Sequence, residues 1–170
     1  MNMTNYRQMI DDFESHYHYD STYMRELLES SLEGFARFND FLPLARHQEK
    51  LGAEDYWVAK LAAMQVEDCG ECLQLTVRMA LEGGVSKAIV EAVLNGGGAL
   101  SADLKDIYDY ARCVASNDTI EAELMDRMTA RFDKGALLEF GLGIATAKVF
   151  PTIKRAVGYT KSCSLMDIEV

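Results

Sequence analysis

Two cysteines three residues apart, Cys69 and Cys72, are the residues of this chain whose type and spacing most directly indicate chemistry. Asp68 and Glu71 have capping-box spacing, which predicts a helix that begins at Asp68 and carries Cys69 in its first turn. There the unpaired backbone N–H groups and the positive end of the helix dipole favour the thiolate, the reactive form of cysteine. Cys72 would lie on the same face, so a disulfide could form and open with little backbone movement.

The C-x-x-C pattern alone leaves three interpretations open: a redox pair, half of a metal site, or two ordinary core residues. The negative charges of Glu67, Asp68 and Glu71 oppose thiolate formation, so the sequence does not fix the net effect on the thiols. A zinc site needs four nitrogen or sulfur ligands, which usually come in two close pairs, and no second C-x-x-C occurs. We therefore expect no metal and no cofactor.

The remaining candidate ligands do not suggest a metal site. Cys113 is flanked by apolar residues and is expected to be a core thiol, whereas Cys163 belongs to the C-terminal tail and is expected to be exposed. His47 lies far from the cysteines in sequence. His16 and His18 could supply two ligands, but an exposed polar N-terminal segment explains them more simply.

Composition narrows the class of protein. The 170 residues are 49% apolar and carry a net charge of −10, which predicts one ordered domain over residues 1–170. An acidic chain argues against nucleic acid and against an anionic membrane surface as partners. No uncharged apolar run approaches the roughly 18 residues of a membrane span. We expect a cytoplasmic location, where a close cysteine pair is more often catalytic or metal-binding than structural.

The elements that must position the thiols are helical. Apolar residues recur with a helical period and rarely alternate, which predicts an all-α domain of seven or eight helices. The expected helices include one apolar stripe from Ser21 to Phe35, a short helix after Pro43, a largely buried helix over 53–66, the cysteine helix to Gly83, helices capped by Ser86, Ser101 and Asp118, and a last helix over 136–149 that Pro151 ends or kinks. The tail 159–170 is polar and is expected to pack loosely.

The arrangement of a buried helix, a C-x-x-C helix that ends in glycine, and then "VSKAIVEAVL" resembles the AhpD-like, or carboxymuconolactone decarboxylase, family. The resemblance extends over about 35–114, and the family-like core over about 35–158. It is carried by Cys69, Cys72, Ala80, Gly83, Gly84, Val85, Ser86, Ile89 and Val90. It implies an all-α fold and a homo-oligomer, commonly a trimer or a hexamer.

The resemblance also implies roles for single residues. Reductase members of the family use the second cysteine as the peroxidatic thiol and the first as its partner, which gives these roles to Cys72 and Cys69. Their proton relay uses a histidine four residues after the second cysteine and a glutamate twelve residues before the first. These positions hold Thr76 and Trp57, and neither side chain is a general base near neutral pH.

Two nearby acids are candidates to replace the relay. Glu54 lies one helical turn before Trp57, and Glu67 precedes the cysteine pair by two residues. The simpler alternative is that both are solvated surface acids. Because the relay is incomplete, we expect slower peroxide chemistry than in members with the full motif.

Three functions remain. The favoured one is a thiol–disulfide or hydroperoxide-reducing enzyme of the AhpD-like type, with a small-molecule peroxide or disulfide as substrate and a dithiol protein as reductant. The first alternative is a catalytically degenerate, oligomeric binding or redox-sensing module of the same fold. The second is a metal-binding helical protein. Apolar helices such as "ALLEFGLGIATAKVF" support the expectation of a homo-oligomer.

Overall fold

A computed structural model describes residues 2–162 and 167–170. That part of the chain contains nine α-helices and one 3₁₀ turn and has no strand, so the predicted all-α fold is confirmed with a slightly higher helix count. The elements are α1 (Met3–Tyr17), α2 (Thr22–Ser30), α3 (Leu32–Phe41), the 3₁₀ turn (Leu44–Arg46), α4 (Ala53–Val66), α5 (Gly70–Glu82), α6 (Lys87–Leu94), α7 (Ala102–Ser116), α8 (Ala122–Arg131) and α9 (Lys134–Ala156).

The N-terminal region holds more helix than the sequence predicts. α1 was not expected, and the single apolar stripe that starts at Ser21 is divided between α2 and α3. The division falls at Ser31, whose backbone is extended (φ −157°, ψ 101°) and whose side chain accepts a hydrogen bond from Gly34 N–H at 2.9 Å. An N-cap serine therefore starts a new helix in the middle of the stripe.

α4 is the central helix of the domain. It is buried on nearly all sides and packs against α5, α6, α7 and α9. Its apolar residues and those of the surrounding helices form the larger core cluster. A second, aromatic cluster lies between α1, α2 and α3 and includes Tyr6, Tyr19, Tyr23, Phe35 and Phe38. The two clusters meet on one side of α4 and α5, where the cysteine pair lies.

α9 continues past the proline that was expected to end or kink it. Pro151 lacks an N–H group, so the helix loses one backbone hydrogen bond there, yet it runs on to Ala156. Tertiary contacts on both sides of the proline hold the last turns. Phe150 packs edge-on against Phe38, and the buried Lys154 forms an ion pair with Glu71.

α9 is also the one helix of the described chain that is long and apolar enough, by composition, to cross a membrane. Length and composition are weak evidence for a span, because core helices of soluble proteins have the same properties. Here 44% of the most apolar window is buried inside the protein, against α4, α7 and the 3₁₀ turn. The helix thus has the contacts of a core element.

The described parts of the tail are bound to the domain, in contrast to the loose packing expected from their polarity. Lys161 O accepts a hydrogen bond from Gly70 N–H at 2.9 Å. The backbone of Glu169 exchanges two hydrogen bonds with the side-chain amide of Gln74, at 2.7 and 2.9 Å. Ile168 and Val170 pack against the larger core cluster.

Candidate functional site

Cys69 and Cys72 form a disulfide at the start of α5, with their Cα atoms 5.3 Å apart. Both are buried, with exposed fractions of 0% and 2%. The helix begins later than predicted, because Asp68 adopts a left-handed conformation (φ 49°) and Cys69 itself takes the N-cap position. The side chain of Asp68 accepts a hydrogen bond from Ser162 Oγ at 2.9 Å. The pair thus lies at a helix N-terminus, as the spacing predicted, one residue out of register.

A cavity of about 360 Å³ opens beside Cys72, between the α4–α5 pair and the N-terminal helices. Cys72 lines it, and Cys69 does not. Most of the wall is apolar or aromatic. It is formed by Met9, Phe13, Tyr19, Tyr23, Met24, Phe38, Asn39, Leu42, Pro43, Ala45, Arg46, Trp57, Lys60, Met64, Cys72, Leu75, Thr76, Met79 and Phe150. This size and lining are typical of a site for a small, largely apolar ligand, since such pockets measure about 300–1,000 Å³.

Trp57 and Thr76 both line this cavity with Cys72. Thr76 Oγ1 donates a hydrogen bond to the carbonyl oxygen of Cys72 at 2.8 Å, so its hydroxyl is bonded within its own helix. The indole of Trp57 packs over Gly83, where an added Cβ would come within 2.5 Å of Nε1. The wall near the thiols also includes Met64, whereas Tyr56 does not line it.

Glu71 lies between the two cysteines in sequence, and its negative charge is paired with nearby cations. Glu71 forms an ion pair with Lys154, which is only 1% exposed, and its other oxygen lies 3.8 Å from Lys161 Nζ. The ammonium group of Lys154 also lies over the rings of Tyr19 and Tyr23, at 4.9 and 5.7 Å from their centroids. The opposition to thiolate formation that the sequence predicts from Glu71 is therefore reduced by two nearby cations.

Lys60 is a second buried cation, and sequence analysis missed it. It is 6% exposed, and its Nζ donates hydrogen bonds to the Ala45 carbonyl and, at 3.0 Å, to the Tyr56 hydroxyl. Burial, together with the positive charge of Arg46, lowers the pKa of Lys60 to about 8. The available signal was a lone lysine inside the apolar run "YWVAKLAAM", one turn after Trp57.

Comparison with protein families gives a match that includes the cysteine pair and part of the cavity wall. Residues 33–104 match the model of the carboxymuconolactone decarboxylase family, a segment that includes both cysteines, Trp57, Lys60 and Thr76. The family resemblance seen in the sequence is thus confirmed over residues 33–104. No curated protein and no solved structure shows significant similarity to the chain.

The family segment provides the thiols, whereas part of the cavity lies outside it. α1 and α2 precede residue 33, and with the loop that joins them they contribute five lining residues, Met9, Phe13, Tyr19, Tyr23 and Met24. The carboxymuconolactone decarboxylase segment is therefore covered, on its thiol side, by helices that the family model does not match.

The two acids proposed as substitutes for the relay lie away from the cavity wall. Glu54 is exposed in the first turn of α4. Glu67 is half-buried and is held by Lys148 and Arg155, with N–O distances of 3.9 and 4.0 Å. Neither lines the cavity beside Cys72. A catalytic role for Glu54 or Glu67 stays a prediction.

The other candidate ligands are dispersed. His16 Nε2 lies 3.0 Å from Glu82, His18 ends α1, and His47 lies 3.8 Å from Glu49. Within residues 2–162 and 167–170, no group of three or more histidine, cysteine, aspartate or glutamate side chains could hold a metal ion. Cys113 is half-buried and unbonded, and Cys163 lies outside the described residues.

A larger depression, of about 680 Å³, contains neither cysteine. It is lined by Gln65, Leu73, Glu91, Leu94, Asn95, Ile168 and Val170, so the C-terminal residues form part of its wall. It is more open than the cavity beside Cys72 and holds no buried cation. The smaller cavity is the better candidate site, because it is enclosed, mostly apolar and lined by the redox-active residue Cys72.

Proposed function

We propose that this protein is a thiol–disulfide oxidoreductase that reduces a small organic hydroperoxide with the Cys69–Cys72 pair. What carries the proposal is that Cys72, bonded to Cys69, faces an enclosed apolar cavity from the position of the second cysteine of an AhpD-like C-x-x-C helix. The pair stands at a helix N-terminus, where backbone N–H groups favour thiolate. Cys72 is thus the thiol that a ligand in the cavity would reach.

The reaction would proceed in three steps. The thiolate of reduced Cys72 attacks the outer oxygen of the hydroperoxide, the O–O bond breaks, and the alkoxide leaves and takes up a proton to become the alcohol. Cys72 is then a sulfenic acid. The thiolate of Cys69 attacks its sulfur, the S–O bond breaks, and the disulfide forms while the departing hydroxide takes up a proton to become water. A dithiol reductant exchanges with this disulfide, becomes oxidised itself, and returns both cysteines to thiols.

The protein lacks the glutamate and histidine that transfer protons in family members with the full motif. Thr76 and Trp57 occupy their positions, and a positioned acid–base group typically contributes about 10²–10⁴-fold to rate. A bulky apolar hydroperoxide gains binding energy from the aromatic wall, whereas hydrogen peroxide does not. We therefore expect the protein to prefer organic hydroperoxides and to turn over hydrogen peroxide slowly.

The reductant must reach a covered disulfide. Cys69 is fully buried, and the tail crosses the start of its helix through the bond between Gly70 N–H and Lys161 O. A small dithiol could enter through the cavity, and a dithiol protein would require the tail to move. We propose a dithiol reductant, a homo-oligomer and a cytoplasmic location as the setting of this activity.

The test is a count of free thiols and a turnover assay. Reduced protein treated with cumene hydroperoxide should lose two thiols, and dithiothreitol should support repeated turnover. Cys72→Ser should abolish reaction at the pair, Cys69→Ser should stop after sulfenic acid forms, and Cys113→Ser is the matched control that keeps full activity. If both cysteines stay alkylatable after peroxide treatment, the proposal is wrong.

One observation favours the alternative of a degenerate redox-sensing module. The hydroxyl of Thr76 is bonded to its own helix and Trp57 carries no acid, so both relay positions are filled by groups that cannot move a proton. A sensor would form the disulfide once, with no sustained turnover in the presence of dithiothreitol. The same assay therefore separates the two functions.

A further inference from the structure

We propose that the cavity beside Cys72 binds an amphipathic organic anion, with a single carboxylate on Lys60 and an apolar body along the aromatic wall. Such anions would be the substrate class of the candidate site. Their role as substrates rests on the proposed function and requires that they carry a hydroperoxide. Binding itself requires no redox step.

The two buried lysines of the described chain, Lys60 and Lys154, differ in their partners. Lys154 is neutralised by Glu71, the arrangement expected for a cation removed from water. Lys60 is similarly buried, yet among the described residues no carboxylate lies within 4.0 Å of its Nζ. Its partners are a carbonyl and a hydroxyl, the Ala45 and Tyr56 oxygens. An ammonium group has three donors, and these two partners account for only two of them.

The polar groups of the cavity wall favour an anionic ligand. It contains a second cation, Arg46, and no acidic residue among the described lining residues. Tyr19 also lines the cavity, and its buried hydroxyl forms no hydrogen bond of normal geometry with a described group, although the nearby Tyr23 hydroxyl contributes to its raised pKa. The cavity wall thus presents a cation and a hydroxyl that a ligand with oxygen atoms could engage.

The positive charge of the cavity wall contrasts with the acidic character of the whole chain. The chain carries a net charge of −10, so the overall field of the protein repels anions. A cavity with two cations and no acid is therefore not a by-product of a basic surface. Burying an unpaired charge costs stability, which indicates that Lys60 is kept for a ligand and not for the fold.

An anchored carboxylate would also offset the missing relay. Lys60 and Cys72 line the same cavity, so a carboxylate held on Lys60 fixes the remainder of the ligand against the thiol. Binding energy from a remote group can then be used to orient the reacting one. The expected substrates are hydroperoxides that carry a carboxylate on an apolar body.

The experiment uses Trp57, the only tryptophan of the chain, which lies in the cavity wall. The oxidised protein, which cannot turn over, is titrated with decanoate and with decan-1-ol at pH 7 while tryptophan fluorescence is recorded. Because a charged hydrogen bond contributes more than a neutral one, decanoate should bind about 10- to 100-fold more tightly than the alcohol. Equal affinities for the acid and the alcohol would overturn the inference.

Variants assign the preference to Lys60. Lys60→Met should bind both ligands with the affinity of the alcohol, and Lys60→Arg should keep the preference for decanoate. Lys87→Met, at an exposed position on α6, is the control and should behave as the wild type. A preference that survives in Lys60→Met contradicts the assignment, whereas failure of peroxide turnover with the preference intact rejects only the redox function. If Lys60→Met does not fold, Lys60→Gln serves in its place.

Discussion

Thr76 donates its hydroxyl proton to the carbonyl of Cys72, one turn earlier in α5, at 2.8 Å. The side chain at the histidine position of the AhpD-like motif is therefore hydrogen-bonded along its own helix while it faces the cavity beside the thiol. Position 76 thus shares the cavity with Cys72, but its present occupant is not a general base near neutral pH.

Thr76→His should restore part of the relay. An imidazole near Cys72 stabilises the thiolate, so the midpoint of the pH profile for alkylation of reduced Cys72 should move to lower pH, and turnover of an organic hydroperoxide should rise by about tenfold or more. Thr129→His is the matched control, because Thr129 makes the same bond to a carbonyl one turn earlier but is exposed on α8. An unchanged alkylation profile in a folded variant would show that residue 76 does not influence the thiol.

Lys60→Met should stabilise the protein at pH 7. The substitution keeps the length of the side chain and removes a charge that burial disfavours, and the Ala45 carbonyl keeps its 3.0 Å hydrogen bond from the Tyr56 hydroxyl. We expect the free energy of unfolding in urea to rise by about 1–3 kcal/mol. Lys154→Met is the informative comparison. It leaves Glu71 without its buried partner and should cost about 3–5 kcal/mol.

The contribution of Lys60 to the free energy of unfolding should become more favourable as the pH rises. Its pKa is about 8 in the folded state and 10.5 in the reference state, so between pH 8 and 10.5 the unfolded chain binds more protons. The wild type should therefore gain stability relative to Lys60→Met as the pH rises through this window, by up to about 1.4 kcal/mol per pH unit. Urea unfolding of both proteins at several pH values measures the difference.

Other titrating groups near Lys60 must be common to both proteins for this comparison to hold. They are Arg46, Tyr56 and the cavity residues Tyr19 and Tyr23. Burial raises the pKa of Tyr56 and of Tyr23 to about 12, above the window. A stability difference between the two proteins that stays constant over this pH range would mean that Lys60 is charged in the folded protein throughout.

The tail should protect the disulfide from reduction. Removal of residues 167–170 deletes two hydrogen bonds to Gln74 and the packing of Ile168 and Val170. We expect reduction of the Cys69–Cys72 bond by dithiothreitol to accelerate about fivefold or more, since each lost bond contributes about 1 kcal/mol to the closed state. Gln74→Ala should give a smaller acceleration. Gln48→Ala, which loses a bond to the Leu51 carbonyl, is the control that should leave the rate unchanged.

The chain should assemble into a homo-oligomer. Leu138 and Leu142 lie one turn apart on α9 and are exposed, Leu138 by 62%, which leaves an apolar strip on a helix whose other face is in the core. Light scattering at micromolar concentration should give a multiple of 19.0 kDa. Leu138→Glu should shift the mass toward one chain, and a wild-type mass of 19.0 kDa would reject the prediction.

The sequence predicts the elements with strong local signals. The helix over 53–66 has the predicted bounds, and Ser86 and Ser101 accept the N-terminal hydrogen bonds of α6 and α7, as their positions before apolar runs indicate. The capping-box spacing of Asp68 and Glu71 likewise predicts the helix start at the cysteine pair to within one residue, and the C-x-x-C spacing allows the disulfide that is found there. In each case neighbours in sequence determine the structure.

The features that sequence analysis missed depend on residues distant in the chain. α8 begins after Glu121 and not at Asp118, and α9 passes Pro151 because Phe38 and Glu71 hold it. Lys60 is recognisable as an unpaired buried cation only once all neighbouring helices are in place. The polar composition of the tail does not predict that the side-chain amide of Gln74 forms hydrogen bonds with both backbone groups of Glu169.

The cavity wall is formed partly by the segment that matches the family and partly by the helices before it, and this division has an evolutionary consequence. The thiols and both relay positions belong to the segment that matches the family, whereas Met9, Phe13, Tyr19, Tyr23 and Met24 come from the helices and loop before it. Mutations in α1 and α2 can therefore reshape what is admitted to the cavity while the reacting atoms stay unaltered. Selectivity and reactivity can drift separately in such a chain, and exchange of the first thirty-two residues between homologues is a direct way to transfer one without the other.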